Sequence, residues 1–220
     1  MKRVGILISG RGSNMTALLE AMRAGEVPAE PAVVVSNKED APGIAKARSY
    51  GVPVEVVPSS AYRGRGREAH DRAVAEALDA HRAEIVCLAG YMRVLTPWFV
   101  ERYAGRLLNI HPSLLPAFPG LHAQRQALEH GVRIAGCTVH FVDAEVDHGP
   151  IVVQAAVPVL PGDDEETLAA RILEQEHRCY PLALKLLCEE RLRIEGRRVV
   201  VAGESPAEPR AIVSPAPSAE

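Results

Sequence analysis

The sequence predicts an α/β fold. In the first half, short runs that are apolar on both faces alternate with amphipathic helical stretches, which means parallel strands covered by helices on either side. After Gly90 two extended runs are joined by an acidic turn, the pattern of an antiparallel pair. Together these describe a Rossmann-like, mostly parallel sheet with helices on both faces and an antiparallel addition in the C-terminal half.

Val4-Gly5-Ile6-Leu7-Ile8 is the first strand, and Met15, Leu18, Leu19 and Met22 then recur at helical spacing. Ala32 to Val35 is a second strand, rich in β-branched residues, and 41–50 a short helix closed by Gly51. A third strand follows at 54–57, a helix at 67–81 and a fourth strand at 85–89. Thr96 and Pro97 open a short helix over 98–103: the threonine hydroxyl is expected to accept from the first free N–H groups, and proline suits the first helical position. Leu107 to Ile110 reads as a further strand, and 136–142 with 151–157 as the antiparallel pair. A long helix over 163–190 begins with acidic residues that favour its positive end. From Gly203 the chain turns to Ser, Pro, Ala and Glu, a composition that predicts a flexible tail over 203–220. The expectation is one domain over 1–202, with halves of about 1–100 and 101–202.

The chain has 25 basic and 28 acidic residues in 220, for a net charge of −3. Such a balance disfavours a general nucleic-acid binder. No apolar run approaches the roughly 20 residues of a membrane span, and Met1-Lys2-Arg3 leads directly into a strand, so a soluble cytoplasmic protein is expected. The four cysteines lie far apart without zinc-ligand spacing and read as small buried hydrophobes.

Three segments carry candidate chemistry. Ser9-Gly10-Arg11-Gly12-Ser13-Asn14 lies between a strand and a helix, where backbone N–H groups approached through glycines cradle a phosphate. It is neither a Walker loop nor a dinucleotide fingerprint, because Met15 holds the place of the third glycine. In Asn109-Ile110-His111-Pro112-Ser113-Leu114-Leu115-Pro116, Asn109 and His111 point to the same side of an extended chain. An amide that donates to a developing oxyanion, beside an imidazole that shuttles a proton, is a minimal acyl-transfer pair. Alone, such a pair is more often a set of locally satisfied polar groups. The acidic turn 143–150 can place a carboxylate against His111 and complete a trio, or be a solvated hairpin turn. A metal reading of His140, Asp143, Asp147 and His148 has no ligand spacing behind it. Gly90 to Leu95 follows a buried strand at its carboxyl end, where ligands of open α/β sheets bind.

Taken together these segments resemble the phosphoribosylglycinamide formyltransferase family of folate-dependent enzymes. The residues that carry the likeness are Ile8 to Asn14, Val35 to Lys38, Leu88 to Arg93, Arg102 to Gly120, Asp147 to Ile151 and Gln175-Glu176-His177. The resemblance implies formyl transfer from 10-formyltetrahydrofolate to the amine of 5′-phosphoribosylglycinamide, with the folate as co-substrate and no metal. It implies that Gly12, Ser13 and Asn14 hold the ribose phosphate and that Glu176 holds the acceptor amide and amine. Met92, Arg93, Val94 and Leu95 would line the pterin pocket, facing Asp143, Ala144, Glu145, Val146 and Asp147, with Arg67 as a folate contact from the 63–67 loop. The family's mechanism makes His111 the proton-transferring group and Asn109 the group that polarises the formyl carbonyl. The resemblance further implies that Asp147 fixes a water and raises the histidine's pKa. A cis Leu115–Pro116 bond is in keeping with the family. Ala144 departs from the acidic or larger residue usual there, which leaves only a backbone contact at that place. The 1–100 half is then the phosphate-binding half and 101–202 the folate and catalytic half.

The alternatives are a 10-formyltetrahydrofolate hydrolase or another folate-dependent formyltransferase. Hydrolases usually carry an N-terminal regulatory domain and tRNA formyltransferases a large C-terminal one, and neither is expected here. A non-catalytic nucleotide-binding module needs the first loop but not Asn109, His111 and Asp147 together. The partners expected are small molecules, without nucleic acid or membrane, for a monomer or a homodimer.

Overall fold

The structure is a computed structural model that describes residues 1–204 and 213–214. Of the expected tail over 203–220, only 203–204 and 213–214 are among the described residues. Among the described residues nine strands form one sheet, in the order β3-β2-β1-β4-β5-β6-β7-β9-β8. The N-terminal part runs β1 (Lys2–Ile8), α1 (Ser13–Arg23), β2 (Ala29–Ser36), α2 (Gly43–Ser49), β3 (Val54–Val56), α3 (Arg67–Ala80) and β4 (Ile85–Leu88). There follow α4 (Pro97–Arg102), β5 (Leu107–His111), α5 (Ala123–Glu129), β6 (Ile134–Phe141), β7 (Ile151–Pro158), α6 (Glu165–Cys188), β8 (Leu192–Glu195) and β9 (Arg198–Val201).

Strands β1 to β5 pair in parallel, and β6 is antiparallel to both β5 and β7. The order reverses at β1, which has β2 on one side and β4 on the other, so the carboxyl ends of β1 and β4 flank a switch point. Alternate residues of each strand feed two cores. Val4, Ile6 and Ile8 pack beneath α1 and α6, while Leu7, Val86, Leu88 and Leu107 pack beneath α3 and α4. Gly5 faces α3, where an added Cβ would lie 2.3 Å from Leu78 Cδ2, so a larger residue would have to push that buried side chain aside.

Helix α6 opens with a reciprocal capping box, in which Asp164 accepts from the Thr167 N–H and the Thr167 hydroxyl accepts from the Asp164 N–H. Helix α4 starts as expected with proline in its first turn, but the expected threonine cap is absent. The Thr96 hydroxyl donates instead to Asp71 Oδ2 at 2.8 Å, since a carboxylate is a stronger acceptor and a buried one must be satisfied. Helix α5 and the β8–β9 hairpin, which adds an edge to the sheet, have no counterpart among the sequence expectations. All four cysteines are free and buried.

Candidate active site

The carboxyl ends of β1, β2 and β4 are tied together by Ser9. Its N–H donates to the Gly90 carbonyl (3.1 Å), and its hydroxyl donates to Asn37 Oδ1 (2.6 Å) while accepting from the Met92 N–H (2.8 Å). Helix α1 then begins at Ser13 behind Gly12, whose φ of 69° lies in the left-handed region. A Cβ on Gly12 would sit 3.1 Å from Gly43 Cα, so the glycine also allows the α1 and α2 loops to meet. Among the described residues no side chain caps this helix, which leaves its first-turn N–H groups open to an outside acceptor.

At the start of α1, the Asn14 amide donates to Glu176 Oε2 at 2.7 Å. Glu176 comes from the middle of α6 and is 6% exposed. Burial pushes its carboxyl above the ordinary range, and the Asn14 hydrogen bond partly offsets that. The structure thus joins two residues 162 positions apart beside the phosphate-type loop.

The second group forms where β5 meets β6. Asn109 and His111 project from the same face of β5, opposite His140 and Thr138 of β6. Asp147, at a φ of 53° that aspartate tolerates better than most residues, directs its carboxylate among them. Its Oδ2 lies 3.3 Å from His111 Nδ1 and accepts from the Gly120 N–H at 2.8 Å. Its Oδ1 lies 3.5 Å from Asn109 Nδ2 and 3.8 Å from His140 Nε2.

The partners of each ring nitrogen assign its hydrogen. His111 Nε2 faces the Phe118 carbonyl at 2.9 Å, so that nitrogen donates and Nδ1 is left opposite the carboxylate. His140 Nδ1 donates to the Phe141 carbonyl at 2.7 Å. Burial holds the His140 pKa below its usual value despite that bond and Asp147 nearby, so Nε2 keeps its lone pair. It accepts from Asn109 Nδ2 at 3.2 Å, which fixes the amide's orientation and leaves its second hydrogen only loosely held by Asp147. That hydrogen is free to turn to an oxyanion.

Residues 112–122 wrap the group. The Leu115–Pro116 bond is cis. Thr138 Oγ1 donates to the Ser113 carbonyl (2.7 Å) and accepts from the Leu115 N–H (3.0 Å), and Gln126 Nε2 donates to the Leu121 carbonyl (2.9 Å). Phe118, His122 and Asp147 are three of the five non-glycine residues with positive φ among the described residues, and all three lie here, where backbone strain tends to collect.

A cleft of about 530 Å³ opens from Asn109, His111 and Asp147. Met92, Arg93, Val94 and Leu95 form one wall, and Asp143, Ala144, Glu145 and Val146 the other. Met92, Val94, Leu121 and Val146 are each at least half exposed, a ring of apolar side chains that a flat ligand would cover. Behind the second wall, His148 Nδ1 donates to Asp143 Oδ2 (2.8 Å), and Arg197 of the β8–β9 turn donates to His148 Nε2 (2.6 Å).

Every folate-type residue expected from the sequence lines this cleft except Arg67, which heads α3, is exposed and lies outside the lining. Gly12, Ser13, Asn14 and Glu176 also lie outside it, at the neighbouring end of β1. Sequence reasoning gave no catalytic part to His140 or to the Phe118 carbonyl. Both depend on contacts that no spacing reveals, although His140 is the one imidazole of β6. Among the described residues no group of three or more His, Cys, Asp or Glu is arranged to hold a metal ion.

Comparison with known proteins identifies the family. Residues 2–184 match the formyl transferase family. Phosphoribosylglycinamide formyltransferase of Escherichia coli is 47% identical over 189 residues, which are 86% of this chain and 88% of that one. The trifunctional purine biosynthetic protein adenosine-3 of Drosophila pseudoobscura pseudoobscura is 52% identical over 194 residues, 87% of this chain but 14% of that protein's length. Glycinamide ribonucleotide transformylase 1 from Symbiobacterium toebii superposes with a TM-score of 0.90 at 55% identity, covering 92% of this chain and 94% of that one. With the match running through both walls of the cleft and the strand that carries Asn109 and His111, the chain belongs to the formyl transferase family.

Proposed function

We propose that the chain transfers the formyl group of 10-formyltetrahydrofolate to the amine of 5′-phosphoribosylglycinamide, a step of purine synthesis. The observation that carries this reading is the meeting of Asn109, His111 and Asp147 at the head of an apolar cleft, with Asn14 and Glu176 beside the neighbouring phosphate-type loop. An acyl transfer needs an oxyanion donor and a proton acceptor on one side of the reacting carbon, and this arrangement supplies both.

In this reading the first-turn N–H groups of α1 at Ser13 and Asn14, approached through Gly12, bind the ribose phosphate, and Glu176 holds the glycinamide amine. Residues 92–95 and 143–147 enclose the pterin, with Ala144 contributing backbone alone, and Arg67 reaches the folate from the start of α3. The amine lone pair attacks the formyl carbon, a C–N bond forms, and the carbonyl electrons move onto oxygen, where Asn109 Nδ2 donates. The amine proton passes to the Asp147–His111 pair through a water that Asp147 holds. The oxyanion then collapses, the bond from carbon to the folate nitrogen breaks, and that nitrogen takes a proton. The chain acts as one domain over 1–202, in the cytoplasm, as a monomer or homodimer, with no metal, nucleic acid or membrane in the reaction. No helix among the described residues is long and apolar enough to cross a membrane.

The test of the acceptor is its phosphate. Dephosphorylated glycinamide riboside should have a KM at least about 100-fold above that of the phosphorylated acceptor, the scale of losing several charge-assisted hydrogen bonds. Equal KM values would remove the phosphate loop from the account.

A further inference from the structure

On the face of the sheet opposite α1 and α6, helix α3 buries two polar side chains next to each other. His70 and Asp71 are each 0% exposed. Asp71 Oδ2 accepts from both the N–H (2.7 Å) and the hydroxyl (2.8 Å) of Thr96, the residue that heads α4. His70 Nε2 donates to the Val57 carbonyl (2.9 Å), and its Nδ1 lies 3.6 Å from Asp71 Oδ1. The Tyr91 hydroxyl and Arg93 Nε, on the segment leading to Thr96, are buried without a hydrogen-bond partner among the described residues. Both charges act on that hydroxyl: Asp71 adds to the burial that raises its pKa, and Arg93 lowers it. Burial alone would push the Asp71 carboxyl up, yet the His70 imidazole and the two Thr96 donors outweigh it and hold the group below its usual range.

Asp71 does not line the cleft. What it holds does bear on the cleft. Residues 92–95 belong to no helix or strand and are pinned at both ends. The Met92 N–H is bound to Ser9 Oγ (2.8 Å), and beyond Leu95 the chain is clamped again, where the Thr96 N–H meets Asp71. Between the two pins Met92 and Val94 stand 64% and 50% exposed, facing ligand space, while Leu95 is 8% exposed and anchored in the core. The threonine hydroxyl caps nothing on its own helix and is turned to Asp71 instead. A carboxylate buried this deeply is unfavourable unless it is engaged, and both of its short hydrogen bonds go to Thr96, which points to a positional role.

We propose that Asp71 is a positioning residue for folate binding: clamped on Thr96, it fixes the course of 92–95 and with it the wall on which the pterin lies. The proposal rests on reading 92–95 as that wall.

The test uses the full-length protein and three variants, Thr96→Val, Thr96→Ser and Asp71→Asn. Thermal melting confirms that each is folded, and tetrahydrofolate affinity is read by fluorescence titration, which needs no turnover. Thr96→Val keeps the shape and removes one hydrogen bond to the carboxylate. It should weaken tetrahydrofolate binding and raise the folate KM by about tenfold, with the acceptor KM within about twofold. Thr96→Ser should restore wild-type affinity, and Asp71→Asn, which keeps an oxygen towards Thr96, should stay within about threefold. A folded Thr96→Val with wild-type affinity would overturn the proposal while leaving the function reading intact, and so would equal rises in both KM values. Failure of the wild-type protein to bind tetrahydrofolate would overturn the folate wall and the proposal together.

Discussion

Asn109→Ala separates chemistry from stability in this protein. The Asn109 amide has two neighbours, His140 Nε2 at 3.2 Å and Asp147 Oδ1 at 3.5 Å, and its backbone sits in β5 between β4 and β6. Truncation leaves the strand pairing untouched and removes one good side-chain hydrogen bond, a loss of about 0.5–1.5 kcal/mol. For a chain of this size each kcal/mol lowers Tm by about 2–4 °C, so the variant should melt only a few degrees below wild type. Loss of one oxyanion donor, by contrast, lowers kcat by about 10²–10³. The assay follows tetrahydrofolate release at saturating concentrations of both substrates, with each KM measured separately. Both KM values should change less than about threefold, because the donor acts on charge that develops after binding. A folded variant with kcat within about tenfold of wild type would refute the role given to Asn109.

Three further outcomes follow from the same geometry. His111→Ala should lower kcat by at least about 10²-fold while the protein still folds, checked by circular dichroism and steady-state rates. Glu176→Gln keeps the Asn14 hydrogen bond but removes a charge whose carboxyl pKa burial has raised above its ordinary 4.5. A raised carboxyl favours the folded state only at low pH and opposes it once ionised, so the variant should melt above wild type at pH 7. The difference should vanish below the ordinary value, and a gap between variant and wild type that is the same at about pH 7 and about pH 4 would contradict it. Gly5→Val places a branched side chain where one added carbon already lies 2.3 Å from Leu78 Cδ2 and 3.1 Å from Ala83 Cβ. Such overpacking should lower stability by about 1–3 kcal/mol in denaturant titration without altering KM.

The parallel half of the fold was legible because its strands are buried on both faces and so read as continuous apolar runs, Val4 to Ile8 above all. The opening of α6 was legible because acidic residues stand where its first turn must begin, whereas the part of Thr167 in the capping box was not. Helix α5 was not, since its seven residues lack a side-chain cap and follow His122 in the left-handed region, a conformation that no sequence signal announces. Strands β8 and β9 are four residues each and largely exposed, with Arg193, Ile194, Glu195, Arg198 and Val200 facing solvent, so no long buried run marks them. At the site, Asn109 and His111 followed from the two-residue period of a strand. The anchoring of Asn109 by His140 did not, because it depends on the register of β5 against β6, strands 31 residues apart at that pair. The misassigned cap at Thr96 has the same origin. A residue type suited to a helix end was read locally, while its partner Asp71 lies 25 positions away on another helix.

Formyl transfer itself is the most direct test. Purified protein is mixed with 10-formyltetrahydrofolate, with and without 5′-phosphoribosylglycinamide, and tetrahydrofolate release is followed over time. The account predicts release that depends on the ribonucleotide and yields one formylated acceptor for each folate consumed. Release at the same rate without the acceptor would mean that water is the nucleophile, and would contradict the assignment of Gly12, Ser13, Asn14 and Glu176 to a phosphorylated amine.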